Sequence, residues 1–400
     1  MKFGEHIQAM QRKVDRKFNV PKGIDPGLYH SAQKLAGDKY EPRLIGRGAE
    51  HLVFKFEDPK HPDTVYKINY RETANLMSAE QDGPEAYERA RQRLDNEIQK
   101  RAERLKELRA YLGSQAIPVQ KYMIRELPVN IDVIARLAPH LPVDPANLPE
   151  KVTAWVTVQR KVDAPLDKIV SMHGHYPEVR LDANREGHRR LYQGVNEIAL
   201  NQPLSGDTPD DEELQKDWVC HMYPSLVSIR SRAERDARFN KKLKQSVADL
   251  INYTQETGRT LDVAGKDNLV MLQGKNNEWQ LKLMDPLLNE DMRIDAIKTA
   301  ISKLAQDKPL KPTLAIQVLN TLNAVRFINC LALIADIPER IHLFEDQEQA
   351  QEPGNPFQET EEDIPVIIDT EEADSATETR DMRIPIQAFL NTLQQFKPKQ

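Results

Sequence analysis

Asn268 and Asp285 offer an amide oxygen and a carboxylate at the two ends of one short stretch. Between them lie two apolar runs, residues 269–272 and 280–284, around the polar turn Gly274, Lys275, Asn276 and Asn277. Apolar runs of strand length about a Gly/Asn turn signal a β-hairpin. A hairpin returns its two ends to the same edge, so the amide and the carboxylate meet at its mouth. A hard cation such as Mg²⁺ takes oxygen ligands of this kind, with phosphate oxygens completing its shell. The plain alternative is that Asx residues at strand ends serve as turn and cap formers. Lys67 is a second candidate, set inside the apolar run Val65-Tyr66-Lys67-Ile68. Facing inward it needs a partner; facing outward it needs none. His173, His175, His188 and the pair Cys220-His221 are scattered without metal-site spacing, so they read as surface or locally hydrogen-bonded side chains.

These residues belong to a chain of 400, 39% apolar and 30% charged, with a net charge of −6. That length holds two or three domains, or one two-lobed enzyme with extensions. The negative balance argues against a general nucleic-acid binder and leaves a local basic patch open. Cys220 and Cys330 cannot build a disulfide framework and lack metal spacing, which points to a reducing compartment. No apolar run reaches membrane-spanning length, and the first residues lead into a polar segment rather than a signal-peptide core. The expectation is a cytoplasmic protein without a membrane span, with secretion by a route lacking a cleaved signal left open.

The elements that must position the candidates follow in chain order. Residues 1–40 form an N-terminal extension with a short basic amphipathic segment (Phe3, Ile7, Met10, Val14, Phe18) that reads as packing. Residues 44–56 and 64–70 read as strand, Gly-x-Gly turn (Gly46, Gly48), strand, Pro-containing turn, strand. A charged helix over residues 84–112 opens at Gly83-Pro84 and closes at Gly113. Its apolar stripe is Leu94, Ile98, Ala102, Leu105, Leu108 and Leu112, with Glu97 on or beside it and Glu88 the fallback acid. Residues 122–129 and 152–162 read as two more strands around a Pro-rich insert, and residues 163–226 give no clear pattern beyond an acidic loop over 203–214. A long helix is expected over 229–257, stopped by Gly258. Two apolar-striped helices are expected over 294–304 and 314–335, the second apolar nearly all round and hence buried. Residues 345–383 are acidic and read as a disordered linker, followed by a short amphipathic helix from residue 384 that docks back or binds a protein partner.

Taken in order, these parts resemble the protein kinase-like superfamily in a divergent, bacterial-type form. The resemblance implies an α+β, two-lobed kinase-like fold: a five-stranded N-lobe over 41–162 and a reduced, mainly helical C-lobe over 163–344. It implies ATP and Mg²⁺ as cofactors. Gly46, Gly48 and Val53 match the glycine-rich loop, with His51 standing where a third glycine would be. Lys67 matches the strand lysine that holds the α- and β-phosphates, Glu97 the helix acid that pairs with it, and backbone near Gln159 the hinge that meets the purine. Asn268 and Asp285 match the metal ligands. The usual spacing puts the catalytic base at Val263; Asp262 lies one residue earlier, and Gly265 offers a way to absorb the extra residue as a bulge. Lys266 would neutralise the γ-phosphate. Pro286 and Leu287 replace the usual residues after the metal acid, and no Ala-Pro-Glu motif follows, so switching by loop phosphorylation is not expected. The implied activity is phosphoryl transfer to a hydroxyl of a protein (Ser/Thr) or a small molecule. The alternatives are a pseudokinase acting as a binding scaffold and a nucleotidyl transferase on the same fold.

Overall fold

The computed structural model describes residues 42–47, 51–56, 64–118, 120–128, 151–162, 165–174, 186–265, 268–274, 276–285, 287, 292–306 and 308–343. The N-terminal extension, the acidic segment and the C-terminal helix expected from sequence lie outside these residues. The chain divides into two compact units, 1–168 and 169–400, six residues beyond the boundary read from the sequence. Both mix helices and antiparallel strands.

In the first unit, five antiparallel strands form one sheet. They are β1 (Pro42–Arg47), β2 (His51–Phe56), β3 (Thr64–Asn69), β4 (Gln120–Pro128) and β5 (Lys151–Arg160), in the order β1-β2-β3-β5-β4. Two helices, α1 (Tyr70–Gln81) and α2 (Pro84–Leu112), follow β3. Helix α2 has the bounds that its Pro start and Gly113 stop dictate. Helix α1 departs from the expectation, because the strand runs into it without a loop. Asn69 ends β3 and caps α1, its Oδ1 accepting from Glu72 N–H at 2.9 Å. Register fixes what α1 and α2 cover. Asn69 pairs with Trp155, and Trp155 with Ile124, so these side chains share one face. Leu76 of α1 and Leu94 of α2 pack on Trp155 there, with Tyr122, Ile124 and Ile98 around them.

The second unit has a three-stranded sheet, β6 (Ile169–Ser171), β7 (Leu269–Gln273) and β8 (Trp279–Leu283), in the order β6-β7-β8. Its helices are α3 (Glu186–Ala199), α4 (Glu212–Met222), α5 (Pro224–Arg235), α6 (Ala237–Thr257), α7 (Ile294–Ala305) and α8 (Pro312–Ile334). The single helix expected over 229–257 is two helices, broken at Asp236. That carboxylate caps α6 through Arg238 and Phe239 N–H, both at 3.0 Å, and accepts the Trp279 indole N–H at 2.8 Å. Gly258 ends α6 in the left-handed region, as the sequence predicts.

Helix α8 is the core of this unit. Among the described residues it is the one helix long and apolar enough to cross a membrane, yet 72% of its most apolar window is buried inside the protein. Its polar residues are satisfied internally. Arg326 donates to Tyr223 Oη and Asn196 Oδ1 at 2.6 Å each, and stacks over Tyr192. Asn329 accepts from Ile341 N–H at 2.8 Å and donates to Ile341 O at 3.1 Å, fastening the chain after α8 back onto it. Cys220 of α4 and Cys330 of α8 are buried and unbridged.

Candidate functional site

The site in the second unit is built by three backbone connections. Thr260 N–H donates to Met292 O at 2.8 Å and Ile294 N–H to Gly258 O at 2.8 Å, so the chain leaving α6 is paired to the chain entering α7. Gly174 N–H then donates to Val263 O at 2.7 Å and Met172 N–H to Leu269 O at 2.8 Å, suspending the loop 263–269 from the extension of β6. Met284 N–H donates to Asn268 O at 2.7 Å, one step beyond the Leu269–Leu283 pair. The hairpin ladder therefore runs to its mouth, with Asn268 at one side and Asp285 next in chain at the other. Its turn is closed by Gly274 N–H to Glu278 O at 2.8 Å, with Asn277 at φ +58°.

Asp262 stands between the buried Leu261 and Val263. One oxygen accepts from Ala264 N–H at 3.0 Å, and the other accepts from Asn268 Nδ2 at 2.9 Å. The same Nδ2 reaches Asp262 O at 3.3 Å. With the nitrogen turned to Asp262, the Asn268 amide oxygen is the atom available as a ligand. Burial raises the Asp262 pKa and the negative charge of Asp285 adds to the rise, against hydrogen bonds from Ala264, Gly265 and Asn268 that lower it. Two carboxylates within electrostatic reach, one basic for its type, attract a cation. Gly265 is required by close approach: a Cβ there would lie 2.2 Å from Asn268 Nδ2.

In the first unit, Lys67 pairs with Val53 and Thr157, and Thr157 with Tyr122. It thus lies on the face that carries Trp155 and is packed by α1 and α2, and it is half-buried. Glu97 sits on the inward stripe of α2, and its carboxylate is 3.7 Å from Arg101 Nε. Arg101 is buried, with its guanidinium 4.9 Å from the centre of the Trp155 ring. Arg101 is the neighbour that the sequence reading missed, a second cation for the acid assigned to Lys67. Gln159 is buried on the same face, paired with Val65. Gly46 pairs with Val53 across a register shift in β1, while Gly48 and Lys266 lie outside the described residues. His51 is buried at the start of β2, its Nε2 3.5 Å from Asn69 Nδ2 and its ring edge-on to Trp155.

Among the described residues, no group of three His, Cys, Asp or Glu side chains could hold a metal by itself. His173 is locally bonded, its Nδ1 3.2 Å from Ser171 Oγ. No family model matches the sequence, and no curated protein or solved structure matches it.

Proposed function

We propose that the chain is an ATP- and Mg²⁺-dependent phosphotransferase of the protein kinase-like kind, acting on a hydroxyl of a protein or small molecule. The observation that carries the reading is the Asp262–Asn268–Asp285 cluster at the mouth of the β7–β8 hairpin. Its donors are all oxygen, too few to cage an ion alone. That suits Mg²⁺, which keeps waters and substrate phosphates in its shell. Asn268 and Asp285 would hold the ion, which when bound neutralises charge developing on the phosphoryl oxygens.

Asp262 would accept the hydroxyl proton. Its burial and the adjacent Asp285 charge strengthen it as a base, and such a group contributes about 10²–10⁴ in rate. The resemblance assigns Lys67 to the nucleotide phosphates with Glu97 holding it, and Lys266 to neutralising the γ-phosphate. Catalysis of this type is mostly positioning and charge neutralisation, so few side chains suffice.

The reading is tested by thermal-shift titration with ATP, with and without Mg²⁺, and by transfer assays with γ- and α-labelled ATP. Asp285→Ala is expected to abolish the Mg²⁺-dependent part of the shift and lower transfer by orders of magnitude, and Asn268→Ala to lower it less. Unchanged Mg²⁺-dependent binding and transfer in Asp285→Ala would sink the proposal. One observation favours a second reading, a nucleotide-binding scaffold: both oxygens of Asp262 are already engaged, by Ala264 and Asn268. Mg²⁺-dependent binding without label transfer selects that reading, and transfer of the α-label selects nucleotidyl transfer.

A further inference from the structure

The junction of α5 and α6 carries a feature that phosphoryl transfer does not use. Residues 230–242 hold six basic side chains against two acidic ones. Where the chain turns between the helices, Arg232, Arg235, Asp236, Ala237 and Arg238 line a cavity of about 520 Å³. Arg230 is already paired with Glu213, Asp217 and Glu234. Asp236, which binds two backbone N–H groups and the Trp279 indole, also acts on Arg232. Arg235 and Arg238 are the exposed cations of the lining. Two of the three arginines are held in place. Arg232 lies 5.5 Å from the centre of the Trp279 ring, and Arg235 donates to Ser231 O at 2.8 Å and Ser231 Oγ at 2.7 Å. Guanidinium forks fixed around a concave surface suit carboxylates.

We propose that this cavity docks the chain's own acidic segment, residues 359–374. That segment has eight acidic side chains and no basic one. Its reach fits. The last described residue is Leu343, and just before it Arg340 O accepts from Gln255 Nε2 at 2.8 Å, near the C-terminal end of α6. The cavity is at the N-terminal end of the same helix, roughly 28 Å away at the helical rise from Asp236 to Gln255. A random coil of the 16 to 31 residues that separate Leu343 from positions 359–374 in sequence has a root-mean-square span of roughly 20–33 Å. A tether whose span matches the separation gives an effective concentration on the order of millimolar, enough for weak charge pairing to hold. The proposal stands apart from the phosphotransfer reading.

A fluorescein-labelled peptide of residues 359–374 is titrated into three full-length proteins. These are the unchanged chain, a chain whose acids in that segment are changed to amides, and the amide chain also carrying Arg235→Glu and Arg238→Glu. Both arginines are exposed, so the fold tolerates the change. The amide chain is expected to bind the peptide about tenfold or more tightly than the unchanged chain. That binding should weaken as salt rises, and the arginine variant should lose it. No gain in the amide chain, or retained binding in the arginine variant, overturns the proposal. Hydrogen exchange at residues 237–243 is expected to be slower in the unchanged chain than in the amide chain at any protein concentration. A difference that appears only at high concentration assigns the segment to a second copy and overturns docking within one chain.

Discussion

Asp262 and Asp285 are two like charges in one small site, and the proton is the simplest probe of their coupling. Asp285→Asn removes the repulsion, so the Asp262 pKa should fall toward the ordinary carboxylate range, read by carboxyl carbon NMR. The sign for stability follows. An acid whose folded pKa is raised contributes stability at low pH that is lost as pH rises through the folded pKa. Asp285→Asn should therefore stabilise the protein at neutral pH, and the gain should vanish below the Asp262 titration. A gain that persists at acid pH would assign it to something other than charge. Gly265 gives an independent test of the same cluster. Gly265→Ala places a methyl 2.2 Å from Asn268 Nδ2 and 2.5 Å from its Cγ, and Asn268 has to move. The expected cost is about 1–3 kcal/mol by denaturant titration, and the proposed function adds that ATP binding in the variant should not respond to Mg²⁺.

At the scale of elements, Asp236 does the most with one side chain: it ends one helix, starts the next and holds the indole of β8. Asp236→Ala should cost about 2 kcal/mol in urea unfolding, from a lost cap and a lost indole hydrogen bond. A change near zero would mean that the Phe239–Trp279 ring contact alone sets the junction. This junction was hard to read in sequence because no Gly or Pro marks it, and only the six-residue step from Ala233 to Phe239 interrupts the apolar spacing of Ile229, Ala233, Phe239 and Leu243. Helix α1 was missed for the opposite reason. Its Asn69-x-x-Glu72 start is a capping signal, but it sits inside what reads as the end of a strand. Helix α2 and the β7–β8 hairpin were legible because Pro84, Gly113 and the Gly274–Asn277 turn are local. The mouth of that hairpin was legible for the same reason. The burial of Arg101 was not, since it depends on the Trp155 ring far along the chain, although its i,i+4 place beside Glu97 is local. The Asn268–Asp262 bond lies between these cases, close in sequence but visible only once Gly265 lets the side chain in.

For the whole molecule, helix α8 and the turn after it close the second unit from within, because Asn329 and Lys216 fasten residues 336–341 to helices. Deleting residues 346–400 should leave a single cooperative thermal transition within about 2 °C of the full chain, and should open the α5–α6 cavity to acidic peptide. A large fall in Tm would show that the removed segment packs as core. The two cysteines follow from the same burial. Cys330 is wholly enclosed in α8, and its thiol is pushed up to about 12, while Cys220 of α4 is raised by burial against the pull of Arg230. A thiol that is neither exposed nor ionised does not react with an alkylating reagent until its surroundings come apart. The pair therefore works as a stopwatch already written into the chain. Cys330 times the opening of the central helix, Cys220 times that of the outer one, and the interval between them dates which comes loose first.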